Sequence, residues 1–97
     1  MPDLSTHVLN GAGGGPAPGV DVEVRDPSGE CVGRGRTDDH GRIEQLAVGV
    51  PCGVYTVTWI LDGFVARLSA TVDLVEERRY HLPVLASGHS AVVYLGV

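Results

Sequence analysis

Apolar side chains recur at every second position over most of this 97-residue chain, and no window carries a sustained helical stripe. In "GVDVEVRD", residues 19–26, Val20, Val22 and Val24 fall on one side of an extended backbone, with Asp21, Glu23 and Arg25 on the other. That pattern marks a strand with one buried face. "VYTVTWIL", residues 54–61, is the strongest strand signal, rich in β-branched and aromatic residues. Further strands are expected in "ECVGRGR", "RIEQLAV", "FVARLSATVDL", "YHLPVLA" and "SAVVYLGV".

The punctuation agrees. "DPSG" at 26–29 has the Pro and Gly placement of a type I turn, "TDDHG" and "GVPCG" are further breaks, and Asp62-Gly63 reads as a two-residue hairpin loop. Pro83 is expected to demote part of its strand to an edge or a bulge. "EERR" at 76–79 reads as a solvated connection. "GAGGGPAPG" at 11–19 reads as a mobile connection, since it lacks the GxGxxG order and the following helix of a phosphate cradle. Short strands at this spacing imply an all-β sandwich of about seven or eight strands.

The length fits one domain, residues 1–97, with a core small enough that oligomerisation would help it considerably. Twelve acidic residues stand against seven basic ones, for a net charge of −5, and no Lys/Arg cluster is present. Binding to nucleic acid depends on neutralising phosphates, so that class of partner is not expected. The start, "MPDLSTHVLN", lacks the basic and apolar regions of a signal peptide, and no apolar run is long enough to span a membrane. The expectation is a cytoplasmic protein with no membrane contact, in which Cys31 and Cys52 are free thiols.

Chemistry is most concentrated in the histidines. His7, His40, His81 and His89 show no HxH or HxxxH spacing, so no metal site is expected. His40 and His89 fit exposed turns. His7 and His81 lie inside expected strands among apolar neighbours, where an imidazole must find a hydrogen-bond partner or face a pocket. Arg42 opens a strand after a Gly turn, where solvent exposure is its simplest fate.

Four segments in order, "LSTHVLN" at 4–10, "GRTDDHGRI" at 35–43, "GVYTVTW" at 53–59 and "YHLPVL" at 80–85, resemble the transthyretin-like family whose enzymatic members are 5-hydroxyisourate hydrolases. The resemblance implies a transthyretin-like (prealbumin-like) sandwich of two four-stranded sheets. It also implies a homotetramer, a dimer of dimers, with shallow sites at the dimer–dimer interface and no cofactor. In those hydrolases a strand histidine, an arginine after a turn and a second strand histidine surround a cyclic substrate from purine breakdown; His7, Arg42 and His81 stand at the matching positions. The chemistry fits them, because opening a cyclic amide needs a base for water, a cation for the oxyanion and an acid for the leaving nitrogen. The expectation is that His7 activates water, His81 positions it or returns the proton, and Arg42 carries charge, with the histidine roles interchangeable.

The chain departs from the family at its end. The family tetrapeptide close to "YRGS" becomes "YLGV", so Leu95 and Val97 stand where an arginine and a serine are expected. The preceding turn is "SGHS", which puts His89 where an aromatic is expected, and the connection after "VYTVTWIL" is shorter than in the family, so its short helix is expected to be trimmed or absent. Tyr94, Leu95, Val97 and His89 are therefore the candidate substrate-binding residues beside the polar three. The first reading is a hydrolase of the 5-hydroxyisourate type. Alternatives are an enzyme acting on a more apolar cyclic substrate in a specialised biosynthetic pathway, and a small-molecule binding protein without turnover.

Overall fold

A computed structural model of the chain describes residues 1–95. Every regular element in that span is a strand: β1 (Asp3–Asn10), β2 (Gly15–Pro16), β3 (Asp21–Arg25), β4 (Cys31–Arg36), β5 (Arg42–Ala47), β6 (Gly53–Leu61), β7 (Ala66–Leu74), β8 (Arg79–Ser87) and β9 (Ser90–Val93). One sheet runs β4-β3-β6-β7; the other runs β2-β1-β8-β9, with β5 also paired to β1. β2 and β5 occupy successive stretches of the same edge of β1, β5 opposite Leu4–His7 and β2 opposite Leu9 and Asn10. The second sheet is thus four strands wide where β2 and β9 flank β1 and β8 and three wide where β5 does, and the expected two-sheet sandwich is present with no helix among the described residues.

The alternating positions fill the space between the sheets. Val22, Val24, Val57, Trp59 and Leu61 come from one sheet and Leu4, Val8, Tyr80, Leu82 and Val84 from the other, all buried. The widest of them carries a polar atom that must be satisfied. The Trp59 indole N–H donates to Thr6 Oγ1 at 3.1 Å, and the Thr6 hydroxyl donates to the Leu82 carbonyl at 2.7 Å. This bridge ties the sheets together beside His7 and His81.

β4 and β5 cross between the sheets at one side, and Gly33 lets them approach: a Cβ there would collide with the Leu46 carbonyl. Cys31 and Cys52 are free thiols.

Two local expectations need correction, and a third holds. The Gly-rich segment is tied down. Ala17 is buried and its N–H reaches the Val8 carbonyl at 2.9 Å, while Thr37 Oγ1 donates to the Ala17 carbonyl at 2.7 Å. Without this segment the part of β1 beyond β5 would leave backbone groups unpaired. The β6–β7 loop holds the four residues 62–65 rather than two, because Phe64 and Val65 tuck against the core and leave the ladder; the Phe64 N–H closes the turn on Leu61 O at 3.0 Å. The expectation for Pro83 holds: β8 pairs with β9 only from Val84 onward, so Pro83 sits on a stretch of β8 that is an edge on that side. Its carbonyl points there and accepts from the Tyr94 N–H at 3.3 Å, so its missing N–H costs no ladder bond.

Candidate active site

The residues 37–42 form a turn organised by one carboxylate. Asp38 Oδ1 accepts from the backbone N–H of His40 at 2.8 Å and of Arg42 at 3.0 Å, an Asx-type turn, and these bonds hold its pKa below the usual carboxylate value. Gly41 takes φ +75°, and a side chain there would meet the Val8 carbonyl. Its own carbonyl accepts from Val8 N at 2.7 Å, which seats the turn against β1 and launches β5 with Arg42 opposite His7.

Strand periodicity then sets the faces. Leu4, Thr6 and Val8 point to the core, so Ser5, His7 and Leu9 point outward from β1. On β8, Leu82 and Val84 point inward, leaving His81, Pro83 and Leu85 outward. Ser5 is in register with His81, and His7 lies between Arg42 on one neighbour and Pro83 on the other. His7, Arg42 and His81 are therefore brought together on three adjacent strands of one outer sheet face.

Each imidazole has an anchor. His7 Nε2 lies 3.0 Å from the His40 carbonyl; a carbonyl only accepts, so Nε2 carries the hydrogen and the lone pair of the neutral ring is on Nδ1. His81 Nδ1 lies 2.8 Å from Ser5 Oγ, and the Ser5 hydroxyl has the Tyr80 carbonyl at 3.5 Å to donate to. In that arrangement Nδ1–H donates to Ser5 and Nε2 is left as the acceptor. Burial, followed by the positive charge of Arg42 and the neighbouring His7, pushes the His81 pKa below 6.5. A ring kept neutral with a free nitrogen is what a general base requires.

Glu44, two residues beyond Arg42 on β5, completes the polar cluster. Arg79 donates to its carbonyl at 2.8 Å and to its Oε2 at 3.1 Å, while Arg42 Nη1 stands 4.0 Å from Oε1. This looser contact leaves the Arg42 guanidinium available to an incoming group. A surface groove of about 320 Å³ runs past His7, Leu9, Gly15, Pro16, His40 and Arg42.

The other candidates are distributed differently. Tyr94 and Leu95 line a cleft of about 390 Å³ against Ala70–Asp73 of β7, with Leu82 and Val93, and this cleft is not walled by the polar three. His89 is exposed in the β8–β9 turn; β8 runs from His81 to its end at Ser87, roughly 20 Å at about 3.3 Å per residue, so one chain does not bring His89 to the cluster. Val97 lies outside the described residues. Sequence reasoning passed over Ser5, Asp38, Glu44 and the His40 carbonyl. Of these only Asp38 had a local signal, an Asp followed by a Gly three residues later in a turn. Among the described residues no three His, Cys, Asp or Glu side chains converge as a metal site, and no helix is long and apolar enough to cross a membrane.

Residues 4–96 match the model of the HIUase/Transthyretin family. The 5-hydroxyisourate hydrolase of Salmonella dublin is 30% identical over 108 residues, spanning 96% of this chain and 79% of its own. An alignment longer than the 97-residue chain requires gaps in it, in line with the short β6–β7 connection. The solved structure of Klebsiella pneumoniae 5-hydroxyisourate hydrolase superimposes with a TM-score of 0.88 at 28% identity, covering 100% of both chains. Sea bream transthyretin, solved in complex with thyroxine, gives a TM-score of 0.86 at 26% identity, covering 98% of this chain and 95% of that one.

Proposed function

The chain belongs to the HIUase/Transthyretin family, and on that footing we propose that it is a ring-opening hydrolase of the 5-hydroxyisourate type. The observation that carries the proposal is the gathering of His7, Arg42 and His81 on one exposed face, with both imidazoles oriented by backbone or hydroxyl partners.

His81 takes the base role, since its neutral form is favoured and Ser5 turns Nε2 away from the strand. Nε2 accepts a proton from water as the water oxygen bonds to the ring carbonyl carbon. The carbonyl π pair moves to oxygen, and Arg42 stabilises that oxyanion with paired N–H donors. When the oxyanion collapses, the carbon–nitrogen bond breaks and the His81 proton passes to the departing nitrogen. A carboxylic acid and an opened ureide result, and His81 is neutral again. His7, held through the His40 carbonyl, supplies a fixed wall and its Nδ1 acceptor for a substrate N–H. This moves the water-activating role expected of His7 to His81, which also keeps the expected return of the proton.

The site faces away from the core, and beside it Leu9, Leu85 and Val92 align in register across β1, β8 and β9, all exposed. That apolar row supports a second copy docking on this face, in a homotetramer built as a dimer of dimers with the substrate in the joint. Tyr94, Leu95, His89 and Val97 would then reach substrate as residues of the assembly rather than of one chain.

One other reading is an enzyme for a more apolar cyclic substrate, because the sequence has Leu95 and Val97 where the family resemblance leads to an arginine and a serine. Ultraviolet decay of freshly generated 5-hydroxyisourate distinguishes them. Decay faster than in buffer supports the hydrolase. Decay at the buffer rate from folded protein would overturn it and leave the apolar substrate or simple binding.

A further inference from the structure

Four of the seven basic residues, Arg25, Arg34, Arg36 and Arg67, lie on the outer face of the other sheet, β4-β3-β6-β7, across the sandwich from the candidate active site. Register arranges that face in transverse rows. Arg34 stands across from Glu23, Glu23 from Thr58, and Thr58 from Ser69; in the next row Arg36 stands across from Asp21, and Ile60 from Arg67. Arg34 and Arg36 thus rise from one edge strand and Arg67 from the opposite edge, and all three wall a cavity of about 620 Å³ over the central strands. That volume lies in the range of small-molecule sites.

The charges on this face do not cancel. Arg25 holds Glu23 by paired bonds of 3.0 and 3.2 Å, and Arg36 holds Asp21 by 2.9 and 3.2 Å. Arg34 and Arg67 make no ion pair among the described residues; Arg34 donates only to the Cys31 sulfur, at 3.5 Å. On a chain of net charge −5, two guanidinium groups without an ion pair thus stand at this cavity, and Asp73, the remaining carboxylate of the four strands' outer face, lies three rows along β7 from Arg67. Between Arg34 and Arg67 lie Thr58, whose hydroxyl is hydrogen-bonded at 2.9 Å to that of Ser69 on the edge strand, and the apolar Ile60 side chain. The Arg25 hydrogen bond, with smaller contributions from the charges of Arg34 and Arg67, holds the Glu23 carboxyl below the usual value.

We propose that this face is a binding site for a small phosphate monoester, with Arg34 and Arg67 closing on the phosphate from opposite edges, the hydrogen-bonded Thr58–Ser69 pair donating its one free hydroxyl proton to a phosphate oxygen and the organic group resting on Ile60. A phosphate monoester carries about −1.5 to −2 at neutral pH, which matches two unpaired arginines; a single carboxylate would leave one unmet. A nucleic-acid strand fits poorly, because Asp21, Glu23 and the overall negative charge oppose repeated phosphates.

The test is an amide NMR titration of the full chain with phenyl phosphate at fixed ionic strength, run on the wild type, Arg34→Gln/Arg67→Gln and Arg42→Gln. Saturable shifts are expected at Arg34, Gly35, Thr58 and Arg67, weakened about tenfold or more in the double variant and unchanged in Arg42→Gln. The replaced arginines are exposed, so the fold should hold, and Arg67→Gln alone serves if the double variant does not fold. No saturable shift up to about 10 mM, equal binding by the variant, or shifts confined to the His7 and Arg42 face would overturn the site. Benzoate binding as tightly as phenyl phosphate would overturn its phosphate selectivity.

Discussion

His81 is the residue on which pH acts. Its folded pKa is depressed, so between that value and 6.5 the unfolded chain binds a proton that the folded chain refuses. Its contribution to stability is therefore complete above pH 6.5 and is lost as pH falls through the folded pKa, and thermal unfolding of His81→Gln should show a weaker dependence across that window. The same depression places the acid limb of kcat/KM below 6.5; a limb above it would argue against His81 as the base. Thr6 has a structural task beside it. Replacing it by Val leaves the buried Trp59 N–H without an acceptor, which should cost about 1–3 kcal/mol, read as a lower urea midpoint at unchanged slope. Asp38→Ala should lower kcat/KM through Arg42 while sparing the base: the acid limb keeps its position although the rate falls. His7, Arg42 and His81 could be picked out of the sequence, but Ser5 and Glu44 could not, because their roles depend on register across strands far apart in the chain.

At the scale of elements, alternation made most of the sandwich legible, since a half-buried strand must place one face inward. The connections were less legible. The Gly-rich 11–19 segment has the composition of a loose loop, yet an open edge on β1 captures it, and that edge exists only because β5 stops short. The β6–β7 loop is longer than its Asp-Gly signal implies because Phe64 and Val65 are strand-like in type but are drawn to the core. Gly33 shows the same dependence on tertiary context. Nothing local distinguishes it from other glycines, but β4 and β5 meet there, and Gly33→Ala should destabilise by about 1–3 kcal/mol through overpacking against the Leu46 carbonyl. A denaturant midpoint equal to wild type would show that the strands part more easily than their contact implies.

For the whole molecule, the proposal joins an active face to an assembly. A charged substitution in the apolar row, Leu85→Glu, should dissociate tetramers to dimers in sedimentation and lower activity with them, since the row is exposed in one chain. Under the same proposal the tail would set substrate choice: Leu95→Arg with Val97→Ser should raise 5-hydroxyisourate turnover, each restored polar contact being worth roughly 1.5–3 kcal/mol. Beneath both lies the claim that the two histidines and Arg42 form one site. Rates of 5-hydroxyisourate ring opening for His7→Ala, His81→Ala and the double variant test it most directly, because residues that act as a unit are not additive. The account predicts that His81→Ala alone costs about 10²–10⁴-fold and that adding His7→Ala costs little more. Independent, multiplying losses, or a His81→Ala variant as fast as wild type, would contradict it.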